Sequence, residues 1–142
     1  CYPVSAVLAD REILGVFKPG EHGSTFGGNP LACAVARESL RVIREEKLVE
    51  NAAERGRSFM EKLRKVRSRH IKEVRGRGLL IGIELHSAAG GARRFCEELM
   101  KEGLLCKETH DHVLRLTPPL IIREKDLNWA LKRIKTVFKR LA

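Results

Sequence analysis

The chain is organised around one glycine-rich segment, Gly20-Glu21-His22-Gly23-Ser24-Thr25-Phe26-Gly27-Gly28-Asn29-Pro30. Glycine lets the backbone turn through conformations that other residues disfavour and lets it approach a ligand closely. The Asn29-Pro30 pair predicts a helix start, with Asn29 as N-cap and Pro30 as the first helical residue. Ser24 and Thr25 place two hydroxyls ahead of that helix, a donor set suited to an anion such as a phosphate. By its residues alone, the segment fits either a phosphate loop or a glycine-rich turn that caps a helix.

The residues around this segment predict the rest of the first 46 positions. The apolar run Val4–Ala9 indicates a buried strand, and residues 10–14 fit a single helical turn. After the loop, residues 30–46 have a helical pattern whose first half is apolar on all sides and needs cover all round. We therefore expect residues 1–46 to be the closing edge of a domain.

From residue 47 onward, helical and strand patterns follow one another. The predicted helices cover residues 48–67, 92–102 and 124–141, and the predicted strands cover residues 71–75, 79–85, 104–107 and 113–117. In the second strand, Leu79, Ile81, Ile83 and Leu85 share one face, and the glycines just before it indicate a bulge or bend. The pattern predicts a small α+β domain over residues 47–142, in which helices cover a sheet.

Composition limits the class of protein. Hydrophobic residues make up 43% of the chain and charged residues 32%, which is typical of a soluble globular protein. Its four cysteines have no metal-finger spacing, so we expect reduced thiols, a cytoplasmic setting and no metal site. The chain lacks an initiating Met and opens on an apolar segment, so we expect it to be a fragment.

The charge is unevenly distributed. Residues 1–46 carry five basic and six acidic side chains, a balance of −1, whereas residues 47–142 carry 23 and 12, a balance of +11. A basic half is compatible with a freestanding interaction module that binds nucleic acid or a protein. Aromatic residues are only 5% of the chain, so it offers few side chains on which nucleotide bases could stack. A solvated basic surface is therefore favoured over a nucleic-acid-binding module.

Four segments of this sequence occur in one characteristic order. They are Tyr2–Val7, Lys18–Ala32, Val74–Leu79 and Arg115–Leu120. The series resembles the C-terminal part of the class III aminotransferases, which use pyridoxal 5′-phosphate. Residues 106–110, Cys-Lys-Glu-Thr-His, favour the ornithine aminotransferases within that class, with acetylornithine and other ω-aminotransferases as the alternative.

This resemblance implies a fold and a division of the chain. The fold is the C-terminal small domain of a fold-type I transferase, residues 47–142, preceded by the end of the large cofactor-binding domain, residues 1–46. That end would comprise a closing strand, the phosphate loop and a connecting helix. The implied reaction transfers the side-chain amino group of ornithine to 2-oxoglutarate, a step of arginine and proline metabolism.

The resemblance also implies roles for individual residues. Thr25, with Ser24 beside it, would contact the cofactor phosphate of the neighbouring subunit in a homodimer. Arg115 would bind the α-carboxylate of glutamate or 2-oxoglutarate, which suits its planar fork and its expected direction away from Leu114 and Leu116. The Schiff-base lysine of the family precedes the segment matched by Tyr2–Val7, so we expect no catalytic residue here and no activity of the chain alone. Lys18 is expected to be structural.

Overall fold

The computed structural model describes residues 3–142, so Cys1 and Tyr2, where the first segment of the resemblance begins, lie outside the described residues. The described residues form two compact units, one ending at Glu46 and one spanning Lys47–Ala142. Their helices and strands are α1 (Arg11–Leu14), α2 (Pro30–Glu45), α3 (Leu48–Arg64), β1 (Ile71–Arg77), β2 (Leu80–Leu85), α4 (Arg93–Lys101), β3 (Lys107–Thr109), β4 (Val113–Leu116) and α5 (Glu124–Arg140), with a 3₁₀ turn at Ser87–Ala89. None of the helices within residues 3–142 is both long and apolar enough to cross a membrane.

The first unit contains the predicted helix start. Asn29 is the N-cap of α2, and its Oδ1 accepts a hydrogen bond from the Ala32 N–H at 2.9 Å. Pro30 is the first helical residue, where its missing N–H costs nothing. The predicted start of this helix and the helical turn before the loop are both confirmed.

The strand predicted for Val4–Ala9 is wrong for this structure. Residues 3–10 have no regular secondary structure, and Val7 and Leu8 are 80% and 89% exposed. A strand must pair its N–H and C=O groups with a neighbour, and the sheet formed by the described residues lies wholly in the second unit. The expected cover around the apolar start of α2 is also wrong, since Leu31 is 60% exposed. The unit offers only the four-residue α1 and its loops as packing partners among residues 3–46.

The second unit is an α+β fold, as predicted. Its sheet has the order β1-β2-β4-β3 with every neighbouring pair antiparallel. One face of the sheet is buried against α3, α4 and α5, and its members are Val74, Ile81, Ile83, Leu85, Leu114 and Leu116. The period-two pattern of β2 is confirmed, because the residues assigned to one face are those that are buried.

A tight turn joins β1 to β2, and α3 lies directly against it. Arg77 pairs with Leu80, so the turn has two central residues, of which Gly78 has a positive φ of 54°. A Cβ built on Gly56 of α3 would lie 2.0 Å from the Gly78 carbonyl oxygen. Gly56 therefore lets the helix approach the turn at backbone distance, which explains a glycine in the middle of a helix.

The third strand lies later in the chain than predicted. The pattern placed it at residues 104–107, whereas β3 spans Lys107–Thr109. Gly103 ends α4 with a φ of 82°, and the Leu104 N–H donates to the Leu99 carbonyl, so the residues after the helix are used to close it. His110 and Asp111 then take positive φ values, and this tight turn brings Thr109 opposite Val113.

Candidate functional site

The first candidate site is the glycine-rich loop of the first unit. Its residues from Gly20 to Gly28 are exposed. Ser24 Oγ accepts a hydrogen bond from the Gly27 N–H at 3.0 Å, and Asn29 Nδ2 donates to the Phe26 carbonyl at 2.9 Å. A Cβ on Gly27 would lie 3.0 Å from the Ser24 Cβ, tighter than ordinary contact. Ser24 and Asn29 therefore fix the shape of the loop immediately before the N-terminus of α2.

Thr25 is the residue of this loop whose hydroxyl is uncommitted. Within residues 3–142 it makes no hydrogen bond, although such residues commonly bond their own backbone in turns. The Ser24 hydroxyl accepts one bond and retains its own proton for donation. Two adjacent hydroxyls can thus donate to an anion at this loop. Lys18 takes part through its backbone N–H, which donates to Glu21 Oε2 at 2.7 Å.

The second candidate site is the outer face of the sheet, opposite the face that the helices cover. Strand register sets Arg75, Gly82, Arg115 and Lys107 side by side, one residue from each of the four strands. Because successive side chains alternate, these residues project away from buried Leu114 and Leu116. The predicted outward direction of Arg115 is confirmed. We call this set the basic row.

The members of the basic row differ in how their charges are compensated. Arg75 pairs with Glu73 at 2.8 Å and also with Glu84. The hydrogen bond that Arg75 donates to the Glu84 carboxylate raises the pKa of Arg75, while Lys72, at 2.6 Å, and then Arg75 lower the pKa of Glu84. These groups remain charged at neutral pH and hold one another in place.

Arg115, by contrast, has no ion-pair partner among residues 3–142, and no hydrogen bond of its guanidinium is found there. Its cross-strand neighbour Lys107 pairs with Glu108 at 3.2 Å, which directs that ammonium to an acid of its own strand. A surface ion pair is the common alternative role for an exposed arginine, and residues 3–142 supply no acid that pairs with Arg115. An exposed, uncompensated guanidinium is suited to bind a carboxylate through two parallel hydrogen bonds.

Gly82 is the member of the basic row that has no side chain. It lies between Arg75 on β1 and Arg115 on β4, and it contributes no side chain to that face. A Cβ there would lie 3.3 Å from Val113 Cγ1, closer than ordinary van der Waals contact. The Val113 side chain therefore packs over Gly82, which has no side chain of its own to project between Arg75 and Arg115.

The residues after Arg115 have a structural use as well. Thr117, Pro118 and Pro119 line an apolar cavity of about 300 Å³, together with Trp129 of α5. Asn51 Nδ2 of α3 donates to the Leu120 carbonyl at 2.6 Å, which ties the end of the Arg115–Leu120 segment to the helical layer.

Sequence reasoning named Ser24, Thr25 and Arg115 as candidate site residues, and it did not name Gly82 or the ion pairs of Glu84. The signal for both was present, because Gly82 and Glu84 fall on the polar face of a period-two strand. The residues that lie beside Gly82 and Glu84 on neighbouring strands could not be predicted from the sequence, because strand register is set by pairing between distant segments. Among the residues that the structure describes, no group of three or more His, Cys, Asp or Glu side chains is placed to hold a metal ion.

Comparison with known proteins gives a consistent result. The family described as "Aminotransferase class-III" matches residues 1–138. The chain is 61% identical over 137 residues to an ornithine aminotransferase of Geobacillus sp. (strain WCH70), a match that covers 96% of this chain and 34% of that relative. The chain therefore spans about a third of the length of the curated relatives that it matches.

Solved structures agree with the sequence relatives. The ornithine aminotransferase PY00104 from Plasmodium yoelii matches with a TM-score of 0.90 and 41% identity, covering 95% of this chain and 36% of that one. An acetylornithine aminotransferase from Elizabethkingia anophelis matches with a TM-score of 0.86 and 42% identity, covering 94% and 36% respectively.

Proposed function

The chain belongs to the class III aminotransferase family, and we propose that it is the C-terminal part of a pyridoxal-phosphate-dependent ornithine aminotransferase. The identity of 61% to the Geobacillus ornithine aminotransferase over nearly the whole chain supports this substrate choice. Residues 1–46 would end the large cofactor-binding domain, and residues 47–142 would be the small domain. Membership of this family favours an enzyme over a freestanding basic interaction module.

The loop fits the phosphate group of pyridoxal phosphate. Such a dianion needs many donors, and the loop offers the Ser24 and Thr25 hydroxyls on an exposed turn that Asn29 and Ser24 hold in shape. When bound, pyridoxal phosphate supplies an electron sink for the charge left on the amino acid after proton loss. We propose that Thr25, assisted by Ser24, holds the phosphate bound to the partner subunit of a homodimer. Cofactor retention would then depend on dimerisation.

Arg115 carries the substrate part of the proposal. Its guanidinium is exposed and uncompensated, and its cross-strand neighbour Gly82 has no side chain to compete for a ligand. We propose that it binds the α-carboxylate of glutamate or 2-oxoglutarate, whose planar geometry matches its fork. The basic balance of the second unit would attract such dianions.

The proton-transferring lysine of the family is not expected among these residues. Lys18 lies on the loop, where its backbone N–H is bound to Glu21, and we assign it a structural role. We therefore propose that the chain alone does not transaminate. The three cysteines among the described residues are free, which suits a reducing compartment such as the cytoplasm.

One observation favours a second substrate. The acetylornithine aminotransferase from Elizabethkingia anophelis matches this chain as closely in sequence as the Plasmodium enzyme does. The groups that would distinguish ornithine from acetylornithine are not identified in this chain, so acetylornithine is retained as the alternative amino donor.

The test uses a chimera in which this chain replaces the matched 137 residues of the Geobacillus enzyme. We expect it to transaminate ornithine with 2-oxoglutarate. Arg115→Lys should lower kcat/KM for 2-oxoglutarate by about 10- to 100-fold, because the charge stays but the two-bond geometry is lost. The half-reaction with ornithine should change less.

The matched control is Arg57→Lys, an exposed arginine on α3 and away from the basic row. It should leave both half-reactions unchanged. A folded chimera that binds pyridoxal phosphate but does not transaminate ornithine would contradict the proposed function. Equal kcat/KM for 2-oxoglutarate in Arg115→Lys and its parent would remove Arg115 from substrate binding.

A further inference from the structure

Two cysteines that the proposed function does not use lie at one place in the second unit. Cys96 is on α4 and Cys106 immediately precedes β3. Both line a surface cavity of about 240 Å³, whose other members include Arg93, Glu97 and Glu108. Cys96 is only 7% exposed and Cys106 is half-buried, so a small solute reaches them only through this cavity.

The two thiols interact with each other. A hydrogen bond with Cys106 lowers the pKa of the Cys96 thiol, and the positive charge of Lys107 acts in the same direction. The same hydrogen bond and burial raise the pKa of Cys106. Because both cysteines line the same cavity of about 240 Å³, their side chains face one small space, in which a sulfur–sulfur bond can form if rotation brings the two Cβ atoms to disulfide distance. Cys33, by contrast, is exposed on α2 and belongs to the first unit.

We propose that Cys96 and Cys106 are an oxidation site, at which a hydroperoxide converts the two thiols into an intramolecular disulfide between α4 and the start of β3. This inference is independent of the aminotransferase assignment, because it rests only on the second unit. A thiol reductant would reverse the modification.

The chemistry balances with one molecule of hydrogen peroxide. The Cys96 thiolate attacks a peroxide oxygen, the O–O bond breaks, and the sulfur becomes a sulfenic acid with release of hydroxide, which takes up the proton lost by Cys96. The Cys106 sulfur then attacks the Cys96 sulfur, the S–O bond breaks, and water leaves with the Cys106 proton. Overall, two thiols lose two electrons and two protons, and the peroxide is reduced to two molecules of water.

The disulfide would act on the strand that flanks the basic row. Lys107, which follows Cys106, pairs across β3 and β4 with Arg115. Tying Cys106 to α4 would hold the start of β3 on the helical layer. The closed loop is short, since only residues 97–105 lie between the two cysteines.

The sequence allows a direct assay. The parent chain is treated with hydrogen peroxide under native conditions, remaining thiols are alkylated, and the protein is digested without reduction. Trypsin cleaves after Arg94, Lys101 and Lys107, which separates Phe95–Lys101 from Glu102–Lys107. We expect these two peptides to be recovered mainly as one linked species that disappears on reduction. Fluorescence of Trp129 verifies that the oxidised second unit is still folded.

The control is Cys106→Ser, which should leave Cys96 as an alkylated or peroxide-oxidised monomeric peptide. Cys33→Ser should not reduce the yield of the linked peptides. Recovery of both cysteines in alkylated form after peroxide treatment would overturn the proposal. So would their linkage mainly to Cys33, or linkage that forms only after the chain is unfolded in urea.

Discussion

Substitution of Gly56 by alanine reverses the usual effect of that exchange in a helix. At an ordinary helical position, alanine is more favourable than glycine by about 1 kcal/mol. Here the new Cβ would lie 2.0 Å from the Gly78 oxygen and 2.2 Å from its carbonyl carbon. Both atoms are backbone, so no side chain can rotate away to accommodate the methyl group.

The size of the effect follows from that distance. Reaching a contact of 3.0 Å requires α3 and the β1–β2 turn to separate by about 1 Å, across the packing of Phe59 and Leu63 on the sheet. Overpacking costs about 1–3 kcal/mol, and a clash with backbone atoms that no side-chain rotation relieves should cost about 2–3 kcal/mol, the upper part of that range. Offset by the gain in helix propensity, we expect Gly56→Ala to lower the free energy of unfolding of the second unit by about 1–2 kcal/mol.

The assay is urea unfolding followed by tryptophan fluorescence, because the single tryptophan, Trp129, lies on α5 in the second unit. With a denaturant slope of about 2 kcal/mol/M, the midpoint should fall by about 0.5–1 M. The control is Ala53→Gly at an exposed position of α3, which should destabilise by about 1 kcal/mol through propensity alone. Gly56→Ala and Ala53→Gly are opposite exchanges in one helix, and both are thus expected to lower the free energy of unfolding. A Gly56→Ala variant as stable as the parent, or more stable, would refute the close approach of α3 to the turn.

Three further predictions concern the loop and the outer sheet face. Asn29→Ala should destabilise the first turn of α2 by about 1 kcal/mol, seen as faster amide exchange at Ala32, and Asn29→Ser should retain most of the protection. Thr25→Ala in the chimera should weaken retention of pyridoxal phosphate by about 1.5–3 kcal/mol with the fold unchanged, and equal cofactor affinity would exclude its role. Because Lys72 and Arg75 lower the pKa of Glu84 below its ordinary 4.5, its contribution to stability is complete above that pH and is lost as pH falls through the lowered value. The difference in urea midpoint between the parent and Glu84→Gln should therefore shrink on acidification, and a pH-independent difference would contradict this ion-pair network.

Local patterns predicted most of the second unit because they report on burial. The period-two run of β2 placed Ile81 and Ile83 on the inner face, and both are buried. In α5, apolar residues that recur at intervals of three or four, such as Leu127, Leu131 and Ile134, likewise lie in the core. Such patterns are readable because one face of an element must leave water, whichever neighbour covers it.

The same logic failed where the neighbour itself decides the outcome. Val4–Ala9 has the composition of a buried strand, but no strand of the described residues pairs with it. The strand predicted for residues 104–107 begins later in the chain, because Gly103 and Leu104 are used to close α4. An apolar run indicates that a segment prefers to be buried, but it does not identify the element that buries it.

What the sequence by itself determined is therefore most elements of the second unit with their buried faces, the start of α2 and the segments that mark the aminotransferase family. Tertiary structure alone decided which residues come together: Gly82 beside Arg115, Gly56 against Gly78, and Cys96 in one cavity with Cys106. The physical reason is the separation along the chain over which each kind of interaction acts. Helix caps and side-chain alternation act over a few residues and are written locally, whereas strand register and helix-to-sheet approach depend on partners distant in the chain, whose pairing no single segment encodes.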